Sequence, residues 1–183
     1  MVAPSYKAIL KKHDQCSEGV KWYFDQLPSL LRNGYSYEVS LAYLFLRTER
    51  AQNMALYCGS VKLHRANTDV TSRAVNAQHL TREGFLLLYR NVFDRELPKS
   101  IKANLEVAER IRDKVVHGKN VTEPEMRTAH IDVLEYAEAM NAEIREAAGF
   151  EPFGKLQGFK GRGQALDKKT TRWLLKGIGF AIA

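Results

Sequence analysis

Residues Leu41 to Tyr57 read LAYLFLRTERAQNMALY. Cut out alone, the apolar block LAYLFL at 41–46 would serve as a buried strand. Its continuation argues otherwise. RTERAQNMALY runs on through good helix formers with no turn signal, so one long and largely buried helix is predicted from about Tyr37 to Tyr57. With this block read as helix, no segment of the chain retains the strict alternation of a strand.

The neighbouring segments repeat the helical period. Tyr6, Ile9, Leu10, His13, Cys16, Val20, Phe24 and Leu27 are spaced by threes and fours, and RNG at 32–34 offers a stop. From Gly59 to Asn76 the pattern is poor, and a loop with a short helical piece is expected there. A helix after Thr81 carries Phe85, Leu88, Tyr89 and Val92 on one side; LPKS at 97–100 breaks it and starts another, with Pro98 in the first turn. TEPE at 122–125 fits a capping box of Thr122 and Glu125, opening a last long helix that Gly149 ends. The expected fold is all-α: an antiparallel bundle of four to five helices over 1–148, followed by a basic, glycine-rich extension over 149–183. Within that extension, DKKTTRWLLKG suits one short helix capped by Asp167.

The charge is unevenly spread. The net charge is +7, and from Gly149 onward seven basic residues face two acidic ones, an excess of five, together with seven of the twelve glycines. A near-neutral body with such a tail suits a polyanion such as RNA, although basic tails also serve solubility alone. No run reaches the length of a membrane span, no signal-peptide core opens the chain, and a cytoplasmic protein is expected. Two cysteines, Cys16 and Cys58, are too few for a disulfide framework and read as buried thiols. His13 and Cys16 lie one turn apart without further metal ligands, so neither metal nor cofactor is expected.

ERIRDKVVHGKN, Glu109 to Asn120, holds the candidate chemistry. Ile101, Leu105, Ala108 and Val115 make a narrow apolar stripe, and Arg112 falls inside it. An unpaired buried guanidinium costs several kcal/mol, on the order of the penalty for any isolated buried charge, so Arg112 needs an acidic partner, a second subunit or a bound anion. Snorkelling to water near the helix end is the simpler alternative. His117 would point about 140° from Arg112 in an unbroken helix. Gly118 permits a left-handed turn there, in which the histidine is free to swing back toward the arginine. A permanent cation beside a titratable imidazole suits phosphodiester chemistry, one group holding the anion and the other moving protons. Arg110, Lys114 and Lys119 add positive charge nearby.

RDKVVHG, residues 112–118, resembles the Arg-x(4–6)-His motif of the HEPN superfamily (higher eukaryotes and prokaryotes nucleotide-binding domains). In that family the motif lies between the last two long helices of a small all-helical bundle; Asp113 matches the polar residue that often follows the arginine, and Gly118 the glycine that often follows the histidine. The resemblance extends over the order and lengths of the helices from about Tyr35 to Ala148. It implies a metal-independent endoribonuclease working as a homodimer, in which two Arg/His pairs face each other. Cleavage would proceed by attack of the RNA's own 2′-hydroxyl, leaving a cyclic phosphate. His117 is implied as acid or base, Arg112 as stabiliser of phosphoryl charge and Asp113 as an orienting group. A toxin or anti-phage role, with an antitoxin or regulatory protein as partner, fits such an enzyme. The chain departs from one subgroup: toxins paired with a nucleotidyltransferase antitoxin carry a tyrosine where Lys119 stands here. Other members of the superfamily are non-catalytic modules, so a helical dimer that only binds nucleic acid or a protein stays open.

Lys155, Lys160 and Arg162, interleaved with Phe153 and Phe159, are candidates for holding and stacking single-stranded RNA, with a plain linker as the alternative. The lysines and glycines of GKLQGFKGRG lack the Gly-Lys-Ser/Thr ending of a phosphate-binding loop. His130 falls on the inward stripe of the last helix with Met126, Val133, Ala137 and Met140, and reads as a hydrogen-bonded core residue. Glu135 and Tyr136 are expected at the surface or an interface. His64 and His79 have no nameable partner.

Overall fold

A computed structural model describes residues 5–78, 80–156 and 163–182. Among these residues the secondary structure is helical throughout: α1 (Tyr6–Asp14), α2 (Glu18–Tyr23), α3 (Leu27–Arg32), α4 (Tyr37–His64), α5 (Thr68–Asn76), α6 (Arg82–Phe93), α7 (Lys99–Val116), α8 (Glu123–Ala148) and α9 (Lys168–Ile178), with no strand. LAYLFL is helical, as its flanks require: Leu41, Leu44, Phe45 and Thr48 are buried at helical spacing while Ala42 and Leu46 face outward. None of the described helices is long and apolar enough to cross a membrane.

Two boundaries differ from expectation. The N-terminal segment breaks into three helices, because Ser17 caps α2 by accepting from the Val20 N–H and restarts the chain; Gly34, at φ +72°, then ends the run. In the opposite sense, α4 continues past Gly59 to His64, and α5 fills most of the expected loop. Gly59 is a close-packing residue here and not a stop. A Cβ at this position would lie 2.6 Å from Val92 Cγ1 and 2.8 Å from Phe93 Cζ.

The chain forms two compact units, each with its own core. The first comprises the chain up to Arg50, Pro98–Glu143 and Phe153–Lys155. Its centre is aromatic: Phe153, fully buried, meets the rings of Tyr23, Phe24 and Tyr136 at centroid distances of 5.4, 5.8 and 6.0 Å. The backbone of Phe153 is gripped from α8, where Asn141 Nδ2 donates to the Phe153 carbonyl (2.8 Å) and Oδ1 accepts from its N–H (2.9 Å). This location corrects two expectations. Phe153 cannot stack on RNA bases, and Tyr136 is a core residue; its apolar ring carries more burial than local pattern revealed. Glu135 does face outward, pairing with Lys12 at 2.8 Å.

The second unit comprises Ala51–Leu97, Ile144–Pro152 and the chain from Leu156 onward. Within it α9 packs on α5 and α6. Asp167 caps α9 by accepting from the N–H groups of Lys169 and Thr170, and Gly179, at φ +111°, ends it. Three side chains fasten it: Thr171 Oγ1 accepts from the Asn67 N–H (3.0 Å), Asn91 Nδ2 donates to the Ile178 carbonyl (2.6 Å) and Gln78 Nε2 to that of Ala181 (3.0 Å).

Candidate functional site

All residues around the C-terminal end of α7 lie in the first unit. The helix closes in a Schellman motif: Gly118, at φ +65°, donates to the Val115 carbonyl and Lys119 to that of Lys114. The next helix begins with the capping box, Thr122 N–H donating to Glu125 Oε2 (2.8 Å) and Glu125 N–H to Thr122 Oγ1 (3.4 Å). The Glu125 carboxylate accepts from both the N–H and the hydroxyl of Thr122, each at 2.8 Å, and these two hydrogen bonds hold it below its ordinary pKa. Lys114 approaches the same carboxylate at 3.8 Å.

Arg112 has found acidic partners within its own chain. Its Nε and Nη2 donate to Asp113 Oδ1 at 3.1 and 2.9 Å, and its Nη1 donates to Glu49 Oε1 of α4 at 3.2 Å. The guanidinium carbon lies 4.9 Å from the centroid of the Phe45 ring. The buried stripe of α7 runs through Ile101, Leu105, Ala108 and Ile111, and at about 100° per residue Arg112 falls between Ile101 and Leu105, inside the stripe, where Val115 is only half-buried. Stem packing with a reachable head describes its position, and 31% of its side chain stays exposed.

His117 stays in helical register. Its N–H donates to the Asp113 carbonyl at 3.0 Å, and its own dihedrals are φ −89°, ψ 14°. The left-handed turn begins one residue later and redirects the chain without redirecting the imidazole. Five residues of helical backbone thus offset the two side chains by about 140° around α7. Neither ring nitrogen of His117 has a hydrogen-bond partner among the described residues, and the residue is exposed. Lys119 is exposed beside it, as is Arg110.

The remaining candidates are scattered. Lys155 is exposed, with Nζ 5.3 Å from the centroid of a Trp22 ring, while Lys160, Arg162, Phe159 and His79 lie outside the described residues. His130 is the core histidine its position predicted: Nδ1 donates to the Met126 carbonyl (2.7 Å), which leaves Nε2 to accept from the Ser40 hydroxyl (2.7 Å). Burial pushes its pKa down to about 4. His64 Nε2 meets the Val92 carbonyl at 2.7 Å. Cys16 and Cys58 are buried free thiols. Among the described residues no three His, Cys, Asp or Glu side chains are grouped as metal ligands.

Glu49 and Phe45, which position Arg112, were missed from sequence; they lie more than sixty residues upstream and carry no local signal of the pairing. Also missed were two apolar neighbours. Leu46, within about 60° of Glu49 around α4, and Val116, about 40° from Arg112 around α7, are 67% and 71% exposed. They are the two most exposed large aliphatic side chains among the described residues, one on each of the helices that carry Arg112 and its Glu49 partner. Comparison with models of protein families, with curated proteins and with solved structures gives no match in any of the three.

Proposed function

We propose that the chain is a HEPN-type, metal-independent endoribonuclease that acts as a homodimer. The observation that carries this reading is the setting of Arg112: a guanidinium oriented by Asp113, Glu49 and Phe45, left one-third exposed, on helices that also carry the uncovered Leu46 and Val116. A second copy covering those aliphatic side chains would bury apolar area and bring a second α7 terminus to the same place. The 140° offset supports a shared site, with the arginine drawn from one protomer and the histidine from its partner.

In such a site the 2′-oxygen of RNA attacks the adjacent phosphorus and its proton passes to one imidazole. The 5′-oxygen leaves with a proton from an imidazolium, and a 2′,3′-cyclic phosphate and a 5′-hydroxyl remain. Arg112 meets the charge that grows on the phosphoryl oxygens. Lys114, Lys119 and the basic stretch with Lys155, Lys160 and Arg162 hold the strand. With this reading go an antiparallel bundle of four to five helices, a basic C-terminal extension, a cytoplasmic location and a defence or toxin role restrained by an antitoxin or regulatory protein.

A second reading has its own support. Two carboxylates already balance Arg112, as they would in a non-catalytic helical dimer that binds nucleic acid or a protein partner. Incubating the purified protein with mixed RNA in EDTA separates the two. The nuclease reading expects cyclic-phosphate ends, no cleavage where the cut site is 2′-deoxy, none by His117→Ala, and a loss of about 10²–10³ in Arg112→Lys. Cleavage that needs a divalent metal, or persists in His117→Ala, refutes it; no cleavage of any RNA favours the binding module.

A further inference from the structure

The C-terminal helix has two distinct sides. Thr171, Leu175 and Ile178 are buried, whereas Lys169, Arg172, Trp173 and Lys176 are exposed. At about 100° per residue the three buried positions span an arc of about 60°, and the four exposed ones an arc of about 100° on the opposite side. Trp173 is 66% exposed, with Lys169 Nζ 5.1 Å from the centroid of one of its rings. Burial does not explain a tryptophan in that position. It is held outward by a helix whose other side is occupied.

Beside this face opens a pocket of about 260 Å³. Val70, Ala74, Ala77 and Ile182 contribute its apolar walls, and Arg73 and Arg172 are the charged groups in its lining. Arg73 Nε donates to the Asp69 backbone carbonyl at 3.3 Å; neither guanidinium forms an ion pair with a carboxylate among the described residues. This contrasts with Arg112, which has two acidic partners, and with Lys168, 3.9 Å from Asp69. Two guanidinium groups without a carboxylate partner among the described residues, at an apolar hollow next to an exposed indole and two lysines, combine anion-holding groups with flat surfaces for bases.

We propose that this face of α9, with the adjoining α5 pocket, binds single-stranded RNA. Arg172, Lys169 and Lys176 track the phosphates, Trp173 stacks one base, and Arg73 holds a phosphate at the pocket, whose walls receive a neighbouring base. An anionic membrane would attract the same charges. An interfacial helix, however, must offer its apolar side to lipid, and that side of α9 is committed to α5 and α6. The surface shares with the proposed function only its nucleic-acid partner. It does not require the chemistry at His117.

The test uses a short 2′-O-methyl oligoribonucleotide, which has no free 2′-hydroxyl to attack phosphorus, so binding is read independently of cleavage. In the full chain carrying Trp22→Phe, Trp173 is the sole tryptophan. Saturable quenching of its fluorescence is expected, with a log–log salt slope of about −3 for four cations. By anisotropy of a labelled oligonucleotide, Trp173→Ala weakens binding about tenfold. Arg73→Ala with Arg172→Ala flattens the slope by about 1.4, at unchanged melting temperature. Absence of quenching, wild-type affinity and slope in the double arginine variant, or binding to phosphatidylserine vesicles without binding to the oligonucleotide, would overturn the assignment. Each of these results leaves the cleavage assay to stand or fall separately.

Discussion

Replacing Asn141 by alanine should unfold the first unit more readily than any surface change, and the cost follows from two hydrogen bonds. Asn141 is 1% exposed and Phe153 fully buried, so neither peptide group of Phe153 can turn to water when the amide is removed. Each buried donor or acceptor left unpaired costs about 1–3 kcal/mol, which gives about 2–6 kcal/mol for the pair. That is a large fraction of the 5–15 kcal/mol or so typical of a folded domain. Urea denaturation followed by far-UV circular dichroism should show a lower midpoint at unchanged m. Asn141→Asp sharpens the argument. Its carboxylate still accepts from the Phe153 N–H but turns a second oxygen on the Phe153 carbonyl. The carboxyl pKa is therefore raised in the folded state, and the penalty is present at neutral pH and relieved as pH falls below the unfolded value. An Asn141→Ala variant within 0.5 kcal/mol or so of wild type, less than one such group should cost, would show that the side chain does not hold residues 150–154 in place.

Four further outcomes are expected. His130 has its pKa pushed from 6.5 down to about 4, so its contribution is intact above pH 6.5 and is lost as pH falls toward 4. The difference amounts to about 3 kcal/mol relative to His130→Gln, and melts of both proteins across this window should diverge accordingly. Asp132 is raised from 3.8 to about 6, by burial first and by Glu135 second; Asp132→Asn should therefore stabilise the protein at pH 7 and not at pH 3, a sign that calorimetry at the two pH values checks. Gly59→Val should destabilise by about 1–3 kcal/mol, because its side chain must displace Val92 and Phe93, and equal stability in urea would contradict this packing. Leu46→Glu should convert the proposed dimer to a monomer in sedimentation at micromolar concentration, and a wild-type chain that is already monomeric would remove the shared site.

What the sequence disclosed was whatever its own neighbours determine. The Thr122/Glu125 box, the Asp167 cap and the glycine stops at 34, 118 and 149 are contacts within a few residues, and all are present. Local reasoning failed where a distant contact decides. Gly59 stands where the predicted helix has ended, yet α4 runs through it, and the residue is small because Val92 and Phe93 leave room for nothing larger. Phe153, in a run rich in glycine and lysine, looked exposed until three rings from distant helices claimed it. At the candidate site, residue types and the Schellman turn were legible. The Glu49 partner and the direction of the imidazole were not: one depends on tertiary packing, the other on which residue of the turn adopts the left-handed conformation.

The two thiols give the protein an unplanned convenience. Burial, with Glu138 adding to it at Cys16, pushes both Cys16 and Cys58 up to about 12, so at neutral pH neither offers the thiolate that alkylating reagents attack. The native chain is therefore a silent background for sulfur chemistry. A cysteine introduced at Val116, 71% exposed, would be the sole site to take up maleimide, and the rate at which it does so would report directly whether another molecule lies over the end of α7.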